Sequence, residues 1–110
     1  MSLRRSHTAV VERNIIWSGR FETEPYEAAW ATEAIFFVRI LEGSGPVAIA
    51  RVQISPDGMH WCDEGTTIEL PAEGEVTFGR VSRFGTYLRI CGRLEEGDER
   101  KVIVYVMLKE

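Results

Sequence analysis

Residues 47–62 read VAIARVQISPDGMHWC, and this stretch decides the fold of the chain. Its first half, residues 47–54, is alternating and rich in β-branched side chains, a pattern typical of a half-buried strand. The SPDG sequence at 55–58 predicts a β-turn, because proline fixes φ at the second position and glycine accepts a positive φ. Trp61 then supplies a large apolar side chain near the start of the next strand. We therefore predict a β-hairpin whose tryptophan anchors it in the core.

Short apolar segments separated by turn residues continue on both sides of this hairpin. Residues 8–17 are predicted to form one strand or two short ones. Further strands are expected at 32–41, 66–70, 75–81, 86–94 and 101–109. This makes about eight strands, with turn signals at short and regular intervals. The spacing predicts an all-β fold, namely an antiparallel β-sandwich that is jelly-roll-like.

Residues 22–31, ETEPYEAAWA, are the one stretch compatible with a helix. Thr23 has a side chain suited to a helix cap, and Pro25 suits a first turn. The stretch is too short to form a stable helix alone. We predict a loop with one helical turn that packs Tyr26 and Trp30 onto the sandwich.

The length of 110 residues suits one domain with its own hydrophobic core. We place this domain at residues 8–110 and expect residues 1–7 to be a flexible N-terminal tail. The tail is basic but has no apolar segment behind it, so it does not read as a signal peptide. The apolar runs are also too short to cross a bilayer. The sequence therefore favours a cytoplasmic protein with no membrane partner.

The charge pattern argues against a nucleic-acid partner. The formal net charge is −4, and the basic residues, mostly arginines, are scattered singly along the strands. Acidic residues concentrate in turns such as 95–99, as expected of a solvated rim.

Three arginines, Arg39, Arg51 and Arg89, are each predicted to lie opposite the aliphatic stripe of a strand. If their strands are neighbours, these arginines form a positive row across one sheet. Alternatively they form cross-strand ion pairs of little energetic value. The candidate acidic partners are Glu22, Glu69 and Glu75.

The two cysteines, Cys62 and Cys91, lie in strand-like segments without the spacing of a zinc site. One interpretation is two buried free thiols, and the other is one disulfide that joins two strands. The missing signal peptide favours the thiols.

One grouping of residues in the hairpin could carry chemistry. His60 lies two residues before Cys62, with Asp57 and Asp63 nearby. Nucleophilic catalysis needs a base held by a third group, and the strained turn of a nucleophile elbow is missing here. The acidic residues, Glu64 included, do not match the spacing of an EF-hand loop. We predict no catalytic residue, no metal site and no cofactor, and hence a protein that is not an enzyme.

Aromatic residues are the candidates for ligand binding. Tyr26, Trp30 and Trp61 are predicted near loops, where flat rings can stack on the apolar faces of sugars. In the alternative interpretation, these rings fill the core or a subunit interface. Carbohydrate is therefore the alternative to a protein partner.

The last predicted strand is apolar on both faces. Its inward side chains are Val102, Val104, Val106 and Leu108. Its outer face carries Ile103, Tyr105 and Met107, where a strand of an isolated sandwich is usually polar. We predict that these three residues form an interface, covered by the N-terminal segment or by another subunit.

Two segments resemble parts of known domains. SPDGMHW at 55–61 is similar to a hairpin of discoidin-like, galactose-binding jelly-roll domains, in which a tryptophan follows three residues after Ser-x-Asp-Gly. FGTYLRI at 84–90 looks like the later aromatic-x-Arg-Ile strand of those domains. The same hairpin also resembles small jelly-roll proteins of phage particles and related bacterial genes. The resemblance covers about a third of the chain, and it implies a jelly-roll sandwich and sugar or lipid binding without assigning binding residues.

The sequence therefore predicts a non-catalytic interaction or assembly domain that self-associates. Its expected partner is a second copy or another protein. The alternative function is that of a carbohydrate-binding module that uses its surface aromatics.

Overall fold

The structure, a computed structural model, describes residues 5–110. These residues form nine β-strands, and none of them lies in a helix long and apolar enough to span a membrane. The strands are β1 (Ser6–Ser18), β2 (Arg20–Glu22), β3 (Tyr26–Glu27), β4 (Glu33–Glu42), β5 (Ile49–Ser55), β6 (Cys62–Glu69), β7 (Val76–Ser82), β8 (Tyr87–Arg93) and β9 (Glu99–Lys109).

The strands form two antiparallel sheets. The four-stranded sheet has the order β1-β9-β4-β7. The second sheet has the order β2-β8-β5-β6, with β3 also paired to β8. Strands that follow one another mostly lie in different sheets, whereas β5 and β6 form a hairpin within one sheet. This is the strand order of a jelly roll. The prediction of an antiparallel, jelly-roll-like sandwich is confirmed, with nine strands where about eight were expected.

One hydrophobic core lies between the sheets, because each strand turns alternate side chains inward. The inward side chains of β4 are Ala34, Phe36, Val38 and Ile40, each at most 1% exposed. Those of β9 are Val102, Val104, Val106 and Leu108, all 0% exposed. The β9 stripe is the one that the sequence predicted to face inward.

The tryptophan of the core is Trp17 rather than Trp61. Trp17 is 3% exposed and stacks on Phe21, with ring centroids 4.0 Å apart. Trp61 is half-buried, and the guanidinium of Arg89 lies 4.3 Å from its ring centroid. Arg89 points outward, because both its neighbours in β8 point into the core. The prediction that Trp61 anchors the hairpin in the core is therefore wrong, since the ring lies on the outer side of the second sheet.

Residues 22–31 contain strand β3 and a turn but no helical turn. Thr23 extends the pairing of β2 with β8: its backbone N–H donates to the carbonyl oxygen of Ile90 at 2.9 Å. Its Oγ1 accepts a hydrogen bond from the Ile90 N–H at 3.0 Å. The predicted helical turn is wrong, because β8 supplies backbone partners that a short isolated helix would lack. Tyr26 and Trp30 do pack against the core, as predicted.

The first strand begins at Ser6, two residues before the expected start of the domain. Ser6 pairs with Lys109 of β9, so the start of β1 lies beside the end of the last strand. Arg5, also placed in the predicted tail, forms an ion pair with Glu110 at 2.8 Å. Residues 1–4 of the predicted tail lie outside the described residues.

The predicted β-turn at the end of β5 is held by side-chain hydrogen bonds. Ser55 Oγ accepts hydrogen bonds from the N–H groups of Asp57, at 3.2 Å, and Gly58, at 2.8 Å. Asp57 Oδ1 accepts from the N–H groups of Met59 and His60, each at 2.8 Å. Its Oδ2 lies 2.6 Å from His60 Nδ1. These contacts, the His60 backbone N–H first, hold the pKa of Asp57 well below its ordinary value of 3.8.

Asp57→Asn is expected to lower the midpoint of thermal unfolding near neutral pH, because it removes the carboxylate around which the turn is built. The pKa of the Asp57 carboxyl is lower in the folded protein than in the unfolded chain. Its ionised form therefore stabilises the fold at any pH above the unfolded-state pKa, and this stabilisation is lost as the pH falls toward the folded-state pKa. The difference in midpoint between wild type and variant should therefore be full at about pH 5 and shrink below about pH 4. Thermal unfolding followed by circular dichroism across this pH range measures the difference in midpoint. A difference that is undiminished at about pH 2 would contradict the lowered pKa of Asp57.

A buried ion pair joins the β8–β9 turn to the loop after β4. Asp98 and Arg100 are 8% and 4% exposed. Arg100 Nε and Nη2 donate to the two carboxylate oxygens of Asp98 at 3.1 and 2.9 Å. Nη2 also donates to the carbonyl oxygen of Pro46 at 2.6 Å. The expectation that residues 95–99 form a solvated rim is wrong for Asp98, because the fold encloses its carboxylate together with the guanidinium.

Candidate functional site

The register of the central strands builds the outer face of the four-stranded sheet. β9 lies between β1 and β4, so its outward side chains have neighbours on both sides. Tyr105 lies opposite Val10 of β1 and Phe37 of β4. Met107 lies opposite Ile35. Three adjacent strands thus carry apolar side chains that face away from the core.

Strand β7 extends this surface to the edge of the sheet. Phe78 lies opposite Phe37, with ring centroids 6.0 Å apart. The guanidinium of Arg80 lies 4.8 Å from the centroid of the Phe78 ring. Val76 lies opposite Arg39. Phe78 and Val76 are 49% and 54% exposed, on a face where antiparallel sheets usually carry polar residues.

We call this surface the outer apolar face. Its members are Val10, Ile35, Phe37, Val76, Phe78, Ile103, Tyr105 and Met107.

All three residues of the predicted interface lie on this face. Ile103 is 8% exposed, and Tyr105 and Met107 are half-buried, since side chains of the flanking strands shield them. The described part of the N-terminal segment, β1, lies beside β9 and not over it. No strand within residues 5–110 covers the face, because all nine belong to the two sheets. Whether the three residues form an interface stays a prediction.

The other five members of the face were missed in the sequence. Ile35 and Phe37 form the outward stripe of β4, a strand that the sequence predicted at residues 32–41. Val76 and Phe78 form the outward apolar side of β7, a strand that the sequence predicted at residues 75–81. The signal was present, but only the register joins these stripes into one surface.

The three arginines of the predicted positive row lie in two different sheets. Arg39 belongs to β4, whereas Arg51 and Arg89 belong to the adjacent strands β5 and β8. Arg89 forms an ion pair with Glu22 at 3.0 Å, as the ion-pair alternative predicted. Arg51 is paired with Asp63 at 3.3 Å. A single row through all three arginines is therefore wrong.

The three predicted ligand-binding rings lie in different surroundings. Tyr26 and Trp30 pack against the core from its margin, whereas Trp61 lies on the outer side of the second sheet. An arginine also lies over each tryptophan: Arg5 is 4.6 Å from the ring centroid of Trp30, and Arg89 is over Trp61. Ligand binding by these rings stays a prediction.

The grouping around His60 is explained by the turn. Asp57 uses both carboxylate oxygens in that turn, and Asp63 contacts an arginine and a glutamine of β5. In the part of the chain that the structure describes, no three His, Cys, Asp or Glu side chains are placed to hold a metal. Cys62 and Cys91 are free thiols, and Cys62 is exposed where a buried thiol was predicted.

Two solved structures share this fold. The SPBc2 prophage-derived protein YomS has a TM-score of 0.64 at 9% sequence identity, over 100% of this chain and 97% of that chain. A protein of Bacillus endospore appendages, which form disulfide-linked pili, has a TM-score of 0.50 at 14% identity, over 96% of this chain and 87% of that chain. At these identities the likeness shows the fold alone. The first likeness agrees with the resemblance to phage proteins, whereas no discoidin or galactose-binding family is matched.

No curated protein matches the sequence. A family model, described as a domain of unknown function, matches residues 31–109. This range contains strands β4 to β9 and therefore most of the outer apolar face. Because the match spans well over half of the chain, the protein belongs to the DUF6385 family.

Proposed function

We propose that this domain is a non-catalytic assembly unit that binds a second copy of itself through the outer apolar face. The observation that carries the proposal is the continuity of that face across all four strands, from Val10 on β1 to Phe78 on β7. Removal of apolar surface from water is the main driving force of protein association. A contiguous exposed apolar patch on a protein surface is the usual mark of an interaction site.

The size of the face indicates a reversible contact. Four strands about 4.8 Å apart, with three outward positions about 7 Å apart on each, give roughly 400 Å². Two copies would together bury about twice this area, which is at the low end for specific interfaces. We therefore expect a monomer–dimer equilibrium that depends on concentration, rather than a permanent dimer.

The charges along β4 favour a second copy as the occupant. Outward-facing Glu33 and Arg39 lie near opposite ends of this strand, with Ile35 and Phe37 between them. When two copies pack face to face with their β4 strands antiparallel, each Glu33 approaches the Arg39 of the other copy. A two-fold axis then passes between the apolar side chains, as in an isologous interface. The face is thus complementary to itself in charge as well as in hydrophobicity.

The likeness to solved structures supports this proposal as an analogy at the level of the fold. One of the two is named for the pili that the endospore appendages form. A jelly-roll sandwich of this strand order is therefore compatible with assembly, although a fold does not by itself specify a function.

Val76→Glu is expected to weaken self-association at least tenfold, because a dimer would have to bury a carboxylate in an apolar contact. Val47→Glu is the matched control: it makes the same chemical change at a residue that is 78% exposed and outside the face. Sedimentation velocity from micromolar to near-millimolar concentration measures both equilibria. A wild-type protein that stays monomeric throughout, or an equal loss in both variants, would overturn the proposal.

Charge reversal tests whether the partner is a second copy. Arg39→Glu alone should weaken association, because it places like charges opposite each other across the two-fold axis. The double variant Glu33→Arg with Arg39→Glu should restore association, since opposite charges again face each other across the two-fold axis with their positions exchanged. A double variant weaker than the single one would contradict the antiparallel arrangement of the two β4 strands.

A further inference from the structure

A second feature lies on the outer side of the other sheet, away from the outer apolar face. It is an open depression of about 420 Å³. Arg20 of β2, Arg51 of β5 and Arg93 of β8 line it together with Ile49 and Gly92. Three arginines from three neighbouring strands therefore line one depression.

Two of these arginines are directly opposed in the sheet. Arg20 and Arg93 are cross-strand partners in the register of β2 with β8. Like charges directly opposite each other destabilise a sheet. Neither side chain has an ion pair or a side-chain hydrogen bond within residues 5–110, whereas Arg89 on the same sheet is paired with Glu22. The fold therefore maintains two uncompensated positive charges side by side.

The third arginine is held in place. Arg51 Nη1 donates to Asp63 Oδ2 at 3.3 Å, and its Nη2 donates to Cys91 Sγ at 3.7 Å. Asp63 is fixed in turn by Gln53, whose Nε2 donates to Oδ1 at 2.9 Å. Since Asp63 offsets the charge of Arg51, the depression keeps an excess of two positive charges, those of Arg20 and Arg93.

We propose that this depression binds a phosphate group in its dianionic form. The planar fork of guanidinium donors matches the oxygens of a phosphate, and several arginines can share one tetrahedral anion. The excess of two positive charges matches the two negative charges of a phosphate dianion better than the single negative charge of a carboxylate. Ile49, 50% exposed at the rim, offers an apolar contact to the organic part of a phosphate ester. A single phosphate fits better than a nucleic-acid backbone, because the domain carries a net charge of −4 and only three arginines line the depression.

The test is a titration of the full chain, followed by the amide resonances of Ile49 and Gly92, at constant ionic strength. Inorganic phosphate, methyl phosphate and acetate are the three probes. Both phosphates are expected to give saturable shifts at these amides, and acetate is expected to bind at least tenfold more weakly. Tighter binding of methyl phosphate than of inorganic phosphate would identify a phosphate monoester as the ligand, and the reverse order would identify free phosphate. Acetate binding as tight as phosphate would overturn the assignment of a dianion.

Arg20→Gln and Arg93→Gln are each expected to weaken phosphate binding about tenfold. Arg83→Gln, at an exposed arginine in the β7–β8 loop, is the control and should leave binding unchanged. In chloride buffer Arg20→Gln should keep or raise the unfolding midpoint, because it relieves a like-charge pair, while added phosphate should raise the midpoint of wild type and of Arg83→Gln more than that of Arg20→Gln. Any of three results would overturn the proposal. They are no saturable binding of phosphate to wild type, unchanged binding in both Arg20→Gln and Arg93→Gln, and an equal loss of binding in Arg83→Gln. These outcomes are independent of the oligomeric state, so they leave the proposed self-association separately testable.

Discussion

Asp98→Asn is expected to lower the free energy of unfolding by about 3 kcal/mol, which corresponds to a drop in the unfolding midpoint of roughly 12 °C. The substitution removes the negative charge next to Arg100, whose side chain is only 4% exposed. A buried charge that loses its partner keeps its desolvation penalty without the compensating attraction. Urea denaturation followed by tryptophan fluorescence measures the change.

Glu110→Gln is the matched control for this substitution. It also removes one carboxylate charge from an arginine ion pair of similar length, but the side chains of Arg5 and Glu110 are 61% and 38% exposed. Because water screens exposed pairs, the control should leave the unfolding midpoint nearly unchanged. A double variant, Asp98→Leu with Arg100→Met, should lose less than Asp98→Asn, since no charge is left unpaired. Equal stability of Asp98→Asn and wild type would show that this pair does not stabilise the loop.

Phe36→Ala is expected to cost about 3–5 kcal/mol, or roughly 12–20 °C in the unfolding midpoint. Phe36 is 0% exposed and is one of the largest buried side chains in the core between the sheets. Its truncation removes many packing contacts and leaves a cavity that the surrounding strands cannot collapse to fill. Chemical denaturation measures the cost.

Phe37→Ala provides the comparison, because it makes the same change one residue later on the same strand. Phe37 is half-buried on the outer apolar face and contacts Phe78. We expect it to cost the monomer about 1 kcal/mol and to weaken self-association as well. Equal losses of monomer stability in the two alanine variants would contradict the assignment of Phe36 to the inner face and Phe37 to the outer face.

Local patterns in the sequence sufficed for most of the fold. The period of two along residues 101–109 gave the inward stripe correctly, because a strand can bury one face only if alternate residues are apolar. The turn at 55–58 was also correct, since its proline, aspartate and glycine act on their own backbone. The helical turn in 22–31 was wrong because β8, more than sixty residues later, supplies the pairing partner.

The sequence predicted only part of the candidate interface. The apolar outer stripe of β9 indicated that Ile103, Tyr105 and Met107 are covered, but it did not identify the segment or subunit that covers them. The structure adds that part of the shielding comes from neighbours in the same sheet, because β9 is a central strand. It also shows that Phe78 and Val76 extend the surface to the sheet edge. The arginines of the second sheet gave no local signal, because Arg20, Arg51 and Arg93 are far apart in the chain.

The sequence by itself determined most of the strands, the inner and outer faces of the last strand and the turn at 55–58, because these depend on alternation and on backbone preferences that act within a few residues. Tertiary structure alone decided which strands are neighbours, and therefore the extent of the outer apolar face, the burial of Asp98 with Arg100 and the convergence of three arginines. It also decided that the tryptophan in the core is Trp17 and that Trp61 lies outside it. The physical reason is that register and sheet order depend on contacts between residues distant in the chain, and these contacts leave no periodic trace in the sequence.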